Sequence, residues 1–137
     1  MSLNETVKQE RSNLPWWAER FGLSIWDWCK VAHEEAQKWW HNPDGSWKER
    51  NKGEMFALMH SELSEAMEAE RKDLMDTHLS DRKGVEVELA DLLIRVFDYA
   101  GRYDLDLEAA VMDKLLYNRE RPDHTDEARA SEHGKKW

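Results

Sequence analysis

The sequence has few of the residues that cross-link a chain or turn it sharply. It contains one cysteine, three prolines and six glycines among 137 residues. A single cysteine excludes an internal disulfide and favours a reducing compartment. The sequence also lacks the run of about 20 apolar residues that would span a bilayer, and its first residues, MSLNETVKQERSNLP, are too polar for a secretory signal. We therefore expect a soluble, cytoplasmic protein.

Positive charge is scarce relative to negative charge. The chain has 20 lysines and arginines against 29 aspartates and glutamates, which gives a formal net charge of -9. A protein with this balance repels nucleic-acid backbones and anionic membranes, so neither is expected as a partner. A small anionic ligand is compatible with the charge if metal ions supply the opposite sign.

Tryptophan, in contrast, is abundant. The sequence has eight tryptophans, and seven of them fall between Trp16 and Trp47. They can pack a small helical core, or some of them can line a flat apolar slot for a ring. Composition alone favours the core, because binding pockets are few in any protein.

Apolar periodicity predicts four helices and no strand. The first begins with a capping box, in which Ser24 caps the helix and Asp27 lies three residues later. Its apolar stripe continues to Trp39, and the turn residues HNPDGS then end it. The other three helices are predicted over about 53–72, over about 85–99, and from near Asp106 to about Pro122.

These helices predict an all-α bundle over residues 24–124, between an N-terminal arm (1–23) and a polar tail (125–137). The third helix is apolar on almost every side, which a monomeric bundle would not bury, and so it suggests self-association. Its polar exceptions form one line that must face a site, a partner or a cavity. In that line we expect Asp98 to pair with Arg95. The line comprises Glu88, Asp91, Arg95 and Asp98.

Two of the predicted helices carry an acidic pair at spacing i, i+3, which places both carboxylates on one face. The pairs are Glu62 with Glu65, and Glu88 with Asp91. The segment between them is long enough for a turn between antiparallel neighbours, so four carboxylates can meet. Four oxygen donors without His or Cys suit Mg²⁺, with Mn²⁺ as a substitute, rather than zinc.

Two other interpretations of the acidic residues remain. A single ExxE on a helix is more often a solvated charged face than a metal site. A di-iron carboxylate bundle also buries glutamates between helices, but it uses Glu-x-x-His, and no glutamate here has a histidine three residues later.

Three segments, GEMFALMHSELSEAMEAERK, GVEVELADLLIRVFDYAG and DKLLYNRERPDHT, resemble the MazG-like nucleoside triphosphate pyrophosphohydrolases. This all-α superfamily includes enzymes that cleave dUTP and dCTP. The resemblance covers roughly residues 25–124 and rests on ExxE, a spacer, ExxD and a downstream Lys-xxx-Asn. The family commonly has another glutamate where this sequence has Ser61, which leaves the four acidic residues in place.

The resemblance implies Mg²⁺-dependent hydrolysis between the α- and β-phosphates, which yields a nucleoside monophosphate and pyrophosphate. It also implies nucleotide-pool control as the role, and a homodimer or homotetramer as the assembly. By the same resemblance, the four acidic residues hold metal and are catalytic. Lys114 and Asn118 would contact phosphate or sugar, and His33, Trp39, Trp40 and Trp47 would contact the base. Arg121 is a further candidate for phosphate, because a guanidinium suits phosphate oxygens.

Two functions from other classes compete with this one. The first is a catalytically idle helical bundle that binds nucleotide or a protein partner through its tryptophans. The second is a single-stranded nucleic-acid binder, which would need basic residues among those tryptophans. Residues 16–40 hold four acidic and three basic side chains, which disfavours a nucleic-acid binder.

Overall fold

The structure is a computed structural model that describes residues 23–121, 126–131 and 133. Within these ranges the chain is all-α, as predicted, with two isolated β-bridges and no strand. No helix in the described part is long and apolar enough to cross a lipid bilayer. The helices are α1 (Ile25–Glu35), α2 (Lys52–Arg71), α3 (Gly84–Arg102), α4 (Leu107–Glu120) and the short α5 (Asp126–Ala130).

The chain divides after Leu105 into two compact units. The first contains α1, α2 and α3, and the second contains α4 and α5. Most of the predicted N-terminal arm, Pro122 and the last residues of the polar tail lie outside the described residues.

Side-chain caps explain where the helices begin. Ser24 Oγ accepts a hydrogen bond from the backbone N–H of Asp27 at 3.1 Å, and the Asp27 carboxylate accepts one from the N–H of Ser24 at 3.0 Å. This confirms the predicted capping box. Asn51 caps α2 and Asp106 caps α4 in the same way, each through a backbone N–H three residues later.

The end of α1 differs from its prediction. The helix ends at Glu35, and Gln37–Trp39 form a separate 3₁₀ turn. The tighter winding of that turn rotates its side chains away from the stripe that an α-helix would have continued. The next segment is a tight loop in which His41 bridges to Trp47, with Gly45 at φ 82°.

Helix α3 is the centre of the first unit, because it packs against both α1 and α2. Near its end, a Cβ added to Gly101 would lie 2.9 Å from His33 Cβ and would collide with the Cys29 carbonyl. Near its start, a Cβ on Gly84 would lie 3.0 Å from Ala69 Cβ. A residue without a side chain is therefore required where α3 approaches α1 at Gly101, and Gly84 allows a close contact with α2.

A buried carboxylate, Asp98, joins α3 to α1 and to the segment that follows it. Its Oδ1 lies 2.9 Å from His33 Nδ1 and 3.0 Å from Trp40 Nε1, and its Oδ2 lies 3.8 Å from Arg50. The Gln37 amide lies 3.1 Å from His33 Nε2, so the network assigns the imidazole proton to Nδ1, where it is donated to Asp98. Asp98 thus holds three residues of the segment 33–50, all of them at least 48 positions before it in the sequence.

We expect Asp98→Ala to lower the free energy of unfolding by about 3 kcal/mol, because it leaves an indole N–H and an imidazole N–H without their acceptor. Urea denaturation would measure the loss. The matched control is Glu68→Ala, which removes a carboxylate from an exposed pair with Lys72 and should change stability by less than about 0.5 kcal/mol. Equal losses in the two variants would contradict a central role for Asp98.

Candidate functional site

Three carboxylates from α2 and α3 converge near the middle of the first unit. One oxygen from each of Glu62, Glu65 and Glu88 lies within 4.8 Å of the others. The i, i+3 spacing places Glu62 and Glu65 on the same face of α2, and that face packs against α3. Glu62 is buried, Glu88 is partly buried and Glu65 is exposed, so the group opens to solvent on one side. Three of the four predicted ligands are therefore together.

Asp91, the fourth predicted ligand, lies on α3 beside this group without belonging to it. Burial raises the pKa of Asp91, repulsion from Glu62 raises it further, and Arg95 offsets part of that effect. Asp76, in the loop between α2 and α3, adds to the repulsion. Backbone N–H groups of Leu79 and His78 lower the pKa of Asp76 itself, which keeps that carboxylate ionised near neutral pH.

We call Glu62, Glu65 and Glu88 the carboxylate group. Its negative charge exceeds the positive charge of the side chains around it. Burial raises the pKa of Glu88, and repulsion from Glu65, Asp91 and Glu62 adds to it. A hydrogen bond between Glu88 and Glu65 acts in the same direction, since one of the two carboxyls must hold a proton to donate it. Oxygen donors with surplus negative charge fit a hard divalent cation such as Mg²⁺.

Arg95 provides the nearest positive charge, and its partner differs from the expected one. Its Nε lies 2.6 Å from Glu62 Oε1, across the α2–α3 contact. The prediction that Arg95 pairs with Asp98 is wrong, because the Asp98 carboxylate is held by His33, Trp40 and Arg50 instead. A tertiary ion pair replaces the local i, i+3 pair.

A cleft of about 520 Å³ opens beside the carboxylate group, with Arg95 between the two. We call it the Trp39 cleft. Its wall combines one exposed aromatic ring, apolar side chains, three basic groups and three carboxylates, a mixture that suits a ligand with both a ring and polar groups. Residues that line it include Ala36, Trp39, Arg50, Leu58, Asp91 and Arg95.

The predicted base-binding residues occupy different positions. Trp39 is 61% exposed and lines the cleft. Trp40 is 1% exposed, and together with His33 it belongs to the Asp98 network, so both serve the packing of α1 on α3. Trp47 stacks on Trp40 with ring centroids 5.9 Å apart and lies under the Arg102 guanidinium. Of the four, Trp39 alone lines the cleft.

The predicted phosphate- and sugar-binding residues lie in the second unit, on α4 and at its C-terminal cap. Lys114 and Arg121 flank the Tyr117 ring, with Lys114 Nζ at 4.6 Å from its centroid. Asn118 Oδ1 is buried and accepts no hydrogen bond from the residues that the structure describes. Lys114 and Asn118 are both on α4, four residues apart, as the periodicity predicts.

Two residues that matter to the site were not predicted. Arg50 precedes the cap of α2 in a segment without periodicity, and it enters the cleft wall because Asp98 and Trp40 hold it. Asp76 lies in a loop that appears merely polar. A single sequence carries no signal for Arg50, whereas the Asx-type turn at Asp76 is a pattern that could have been recognised.

Comparisons with models of protein families, with curated proteins and with solved structures find no match to this chain.

We expect Glu88→Gln to raise the melting temperature of the metal-free protein near neutral pH. A carboxyl whose pKa is raised on folding favours the folded state below its unfolded pKa, and that contribution is lost as the pH rises through the folded pKa. Wild-type stability should therefore rise as the pH falls into the range between the two values, and the variant should lose that rise. Thermal unfolding between neutral and acidic pH would measure both effects.

The matched control is Glu86→Gln. Glu86 lies two residues before Glu88 on α3 and forms an exposed ion pair with Arg82. This variant should keep the wild-type pH dependence and should not be stabilised. A lower melting temperature for metal-free Glu88→Gln would show that Glu88 stabilises the fold, and would contradict the interpretation of the group as surplus charge.

Proposed function

We propose that this protein is a Mg²⁺-dependent nucleoside triphosphate pyrophosphohydrolase with a MazG-like fold, acting in nucleotide-pool control. The observation that carries the proposal is the position of three converging carboxylates next to a cleft of ring-binding size. The resemblance to the family adds the reaction class. We propose phosphate and sugar contacts for Lys114 and Asn118, as the resemblance implies, and a phosphate contact for Arg121, because a guanidinium suits phosphate oxygens.

The reaction adds water to the α-phosphorus and breaks its bond to the oxygen that bridges α and β. Pyrophosphate leaves, and the proton of the attacking water passes to a carboxylate. A bound Mg²⁺ would supply charge screening for the triphosphate and acidify water. Glu62, Glu65 and Glu88 would hold that ion, with Asp91 beside them. Asp91, which lies beside the three carboxylates that would hold the ion, is suited to accept the proton, because a raised pKa makes a carboxylate a stronger base.

The Trp39 cleft would take the nucleoside. The exposed Trp39 ring offers a stacking surface for a base, in place of the buried Trp40. Base–aromatic stacking tolerates every base, so a preference for one base would come from polar groups of the cleft wall, among them the Glu35 carboxylate and the Lys38 amine.

We expect pyrophosphate to be released from at least one of the eight standard ribo- and deoxyribonucleoside triphosphates in the presence of Mg²⁺. Pyrophosphate and orthophosphate would be detected separately. Release should stop when a chelator is added. Glu65→Gln should lower turnover by roughly 100-fold or more, because transition-state charge stabilisation worth several kcal/mol depends on the metal.

Glu68→Gln is the control for this assay, because it alters an exposed glutamate on α2 that pairs with Lys72 and lies outside the carboxylate group. It should keep wild-type turnover. Orthophosphate as the only product would contradict the cleavage position. Binding of a nucleotide without turnover would favour the catalytically idle bundle.

We also propose that the protein is a homo-oligomer, a dimer or a tetramer. A groove of about 410 Å³ between α2 and α3 is lined by the apolar side chains of Leu63, Met67, Val85 and Leu89. Leu93, one turn after Leu89, is 49% exposed. Contiguous apolar surface of this kind is typical of an interface, and a second copy offers the same surface.

Light scattering after size exclusion should give a mass of at least twice the 16.3 kDa of the chain. Leu93→Lys, which places a charge on the proposed interface, should shift the protein towards the monomer. Lys72→Glu, an exposed change at the end of α2, is the control and should leave the mass unchanged. A wild-type protein that is monomeric at high concentration would contradict this proposal.

A further inference from the structure

Arg95 connects the carboxylate group to the Trp39 cleft. It lies on α3, and its Nε is 2.6 Å from Glu62 Oε1. The Glu62 side chain is 11% exposed, whereas that of Arg95 is 38% exposed. The carboxylate is therefore fixed in the interior of the site, while the guanidinium lies at its edge and forms part of the cleft wall.

This ion pair uses the same carboxylate that a divalent cation would require. Glu62, Glu65 and Glu88 have ligand oxygens within 4.8 Å of one another, so an ion that binds all three must contact Glu62. Arg95 is the cation that neutralises Glu62 without a metal. A divalent ion and a guanidinium repel each other and compete for one carboxylate, so metal binding would weaken the contact of Arg95 with Glu62.

The cleft offers the displaced guanidinium a second position. Arg50 lines the same wall, where it lies 3.8 Å from Asp98 and 5.0 Å from the centre of the Trp40 ring. These contacts fix Arg50 in place without a close ion pair. A second guanidinium next to Arg50 would add positive charge to a wall that also carries the carboxylates of Glu35, Asp91 and Asp98. Two neighbouring guanidinium groups suit an added anion, because each binds phosphate oxygens in a bidentate manner.

We propose that Arg95 is an exchangeable cation: it pairs with Glu62 in the metal-free protein and, once a divalent ion takes that carboxylate, turns into the Trp39 cleft and binds the β- and γ-phosphates together with Arg50. This inference rests on the proposed function. It makes metal binding a condition for full phosphate affinity, because the metal releases the side chain that the phosphate needs. The affinities for metal and for pyrophosphate are therefore positively coupled.

The test measures two affinities by calorimetry: that of Mg²⁺ alone, and that of inorganic pyrophosphate at saturating Mg²⁺. In Arg95→Gln, Mg²⁺ should bind about fivefold more tightly, because a partly exposed ion pair no longer competes for Glu62. Pyrophosphate should bind roughly tenfold more weakly, because a charge-assisted hydrogen-bond pair is lost. A purely structural role of Arg95 would not move the two affinities in opposite directions.

Arg95→Lys keeps the charge but loses the planar fork. It should bind Mg²⁺ within about twofold of wild type and pyrophosphate about threefold more weakly. This variant decides the question if Arg95→Gln fails to fold by circular dichroism. The matched control is Arg82→Gln. Arg82 lies just before α3 and forms an exposed ion pair with Glu86, so this variant removes the same charge away from the site. Neither affinity should change in it by more than about twofold.

Nitrogen NMR of the arginine Nε groups gives a direct reading of the exchange. The Arg95 signal, identified by its absence from Arg95→Lys, should shift when Mg²⁺ is added and again when pyrophosphate follows. Wild-type protein that binds no Mg²⁺ would overturn the proposed function and this inference together. Wild-type protein that binds both ligands, with an unmoved Arg95 signal and with affinities that Arg95→Gln leaves unchanged, would overturn this inference alone.

Discussion

The first unit depends on the buried Asp98 carboxylate in the C-terminal part of α3. Its acceptor oxygens hold the imidazole of His33, the indole N–H of Trp40 and, more loosely, the Arg50 guanidinium. These three groups come from α1, from the turn after it and from the approach to α2. One carboxylate therefore fixes the positions of the segments that form the Trp39 cleft, in the way that a satisfied buried polar network specifies a single packing. The neighbouring Trp39 is left outside the network and exposed.

Along α3 the polar residues serve two different purposes. Glu88 and Asp91 lie at the end where negative charge accumulates, and both have raised pKa values because nothing in the described residues neutralises them fully. Asp98, about two to three turns further on, accepts hydrogen bonds from His33 and Trp40. Arg95 lies between these regions. The C-terminal part of α3 thus stabilises the fold, whereas its N-terminal part carries uncompensated negative charge that suits a cation.

The sequence predicted the features that depend on local rules. The Ser24–Asp27 cap, the starts of α2 and α4 and the convergence of Glu62, Glu65 and Glu88 follow from side-chain chemistry and from spacing on one helical face. It did not predict the partner of Arg95, because a local rule pointed to Asp98, whereas the observed partner is 33 residues away in sequence. Likewise, no pattern distinguishes Trp39 from Trp40. A helix that ends at Glu35 rather than continuing decides which ring is buried, and that ending depends on tertiary contacts.

The backbone contact between Cys29 and Gly101 has a practical consequence. Cys29 is the one thiol of the chain, and its side chain is buried where α1 meets α3 without an intervening side chain. A reagent that alkylates thiols can reach it only when the two helices separate. The rate of labelling therefore reports how often the native protein opens at this contact, since local opening limits access to buried groups. Alkylation of the Cys29 sulfur therefore measures how often the first unit opens, and it needs no mutation of the protein.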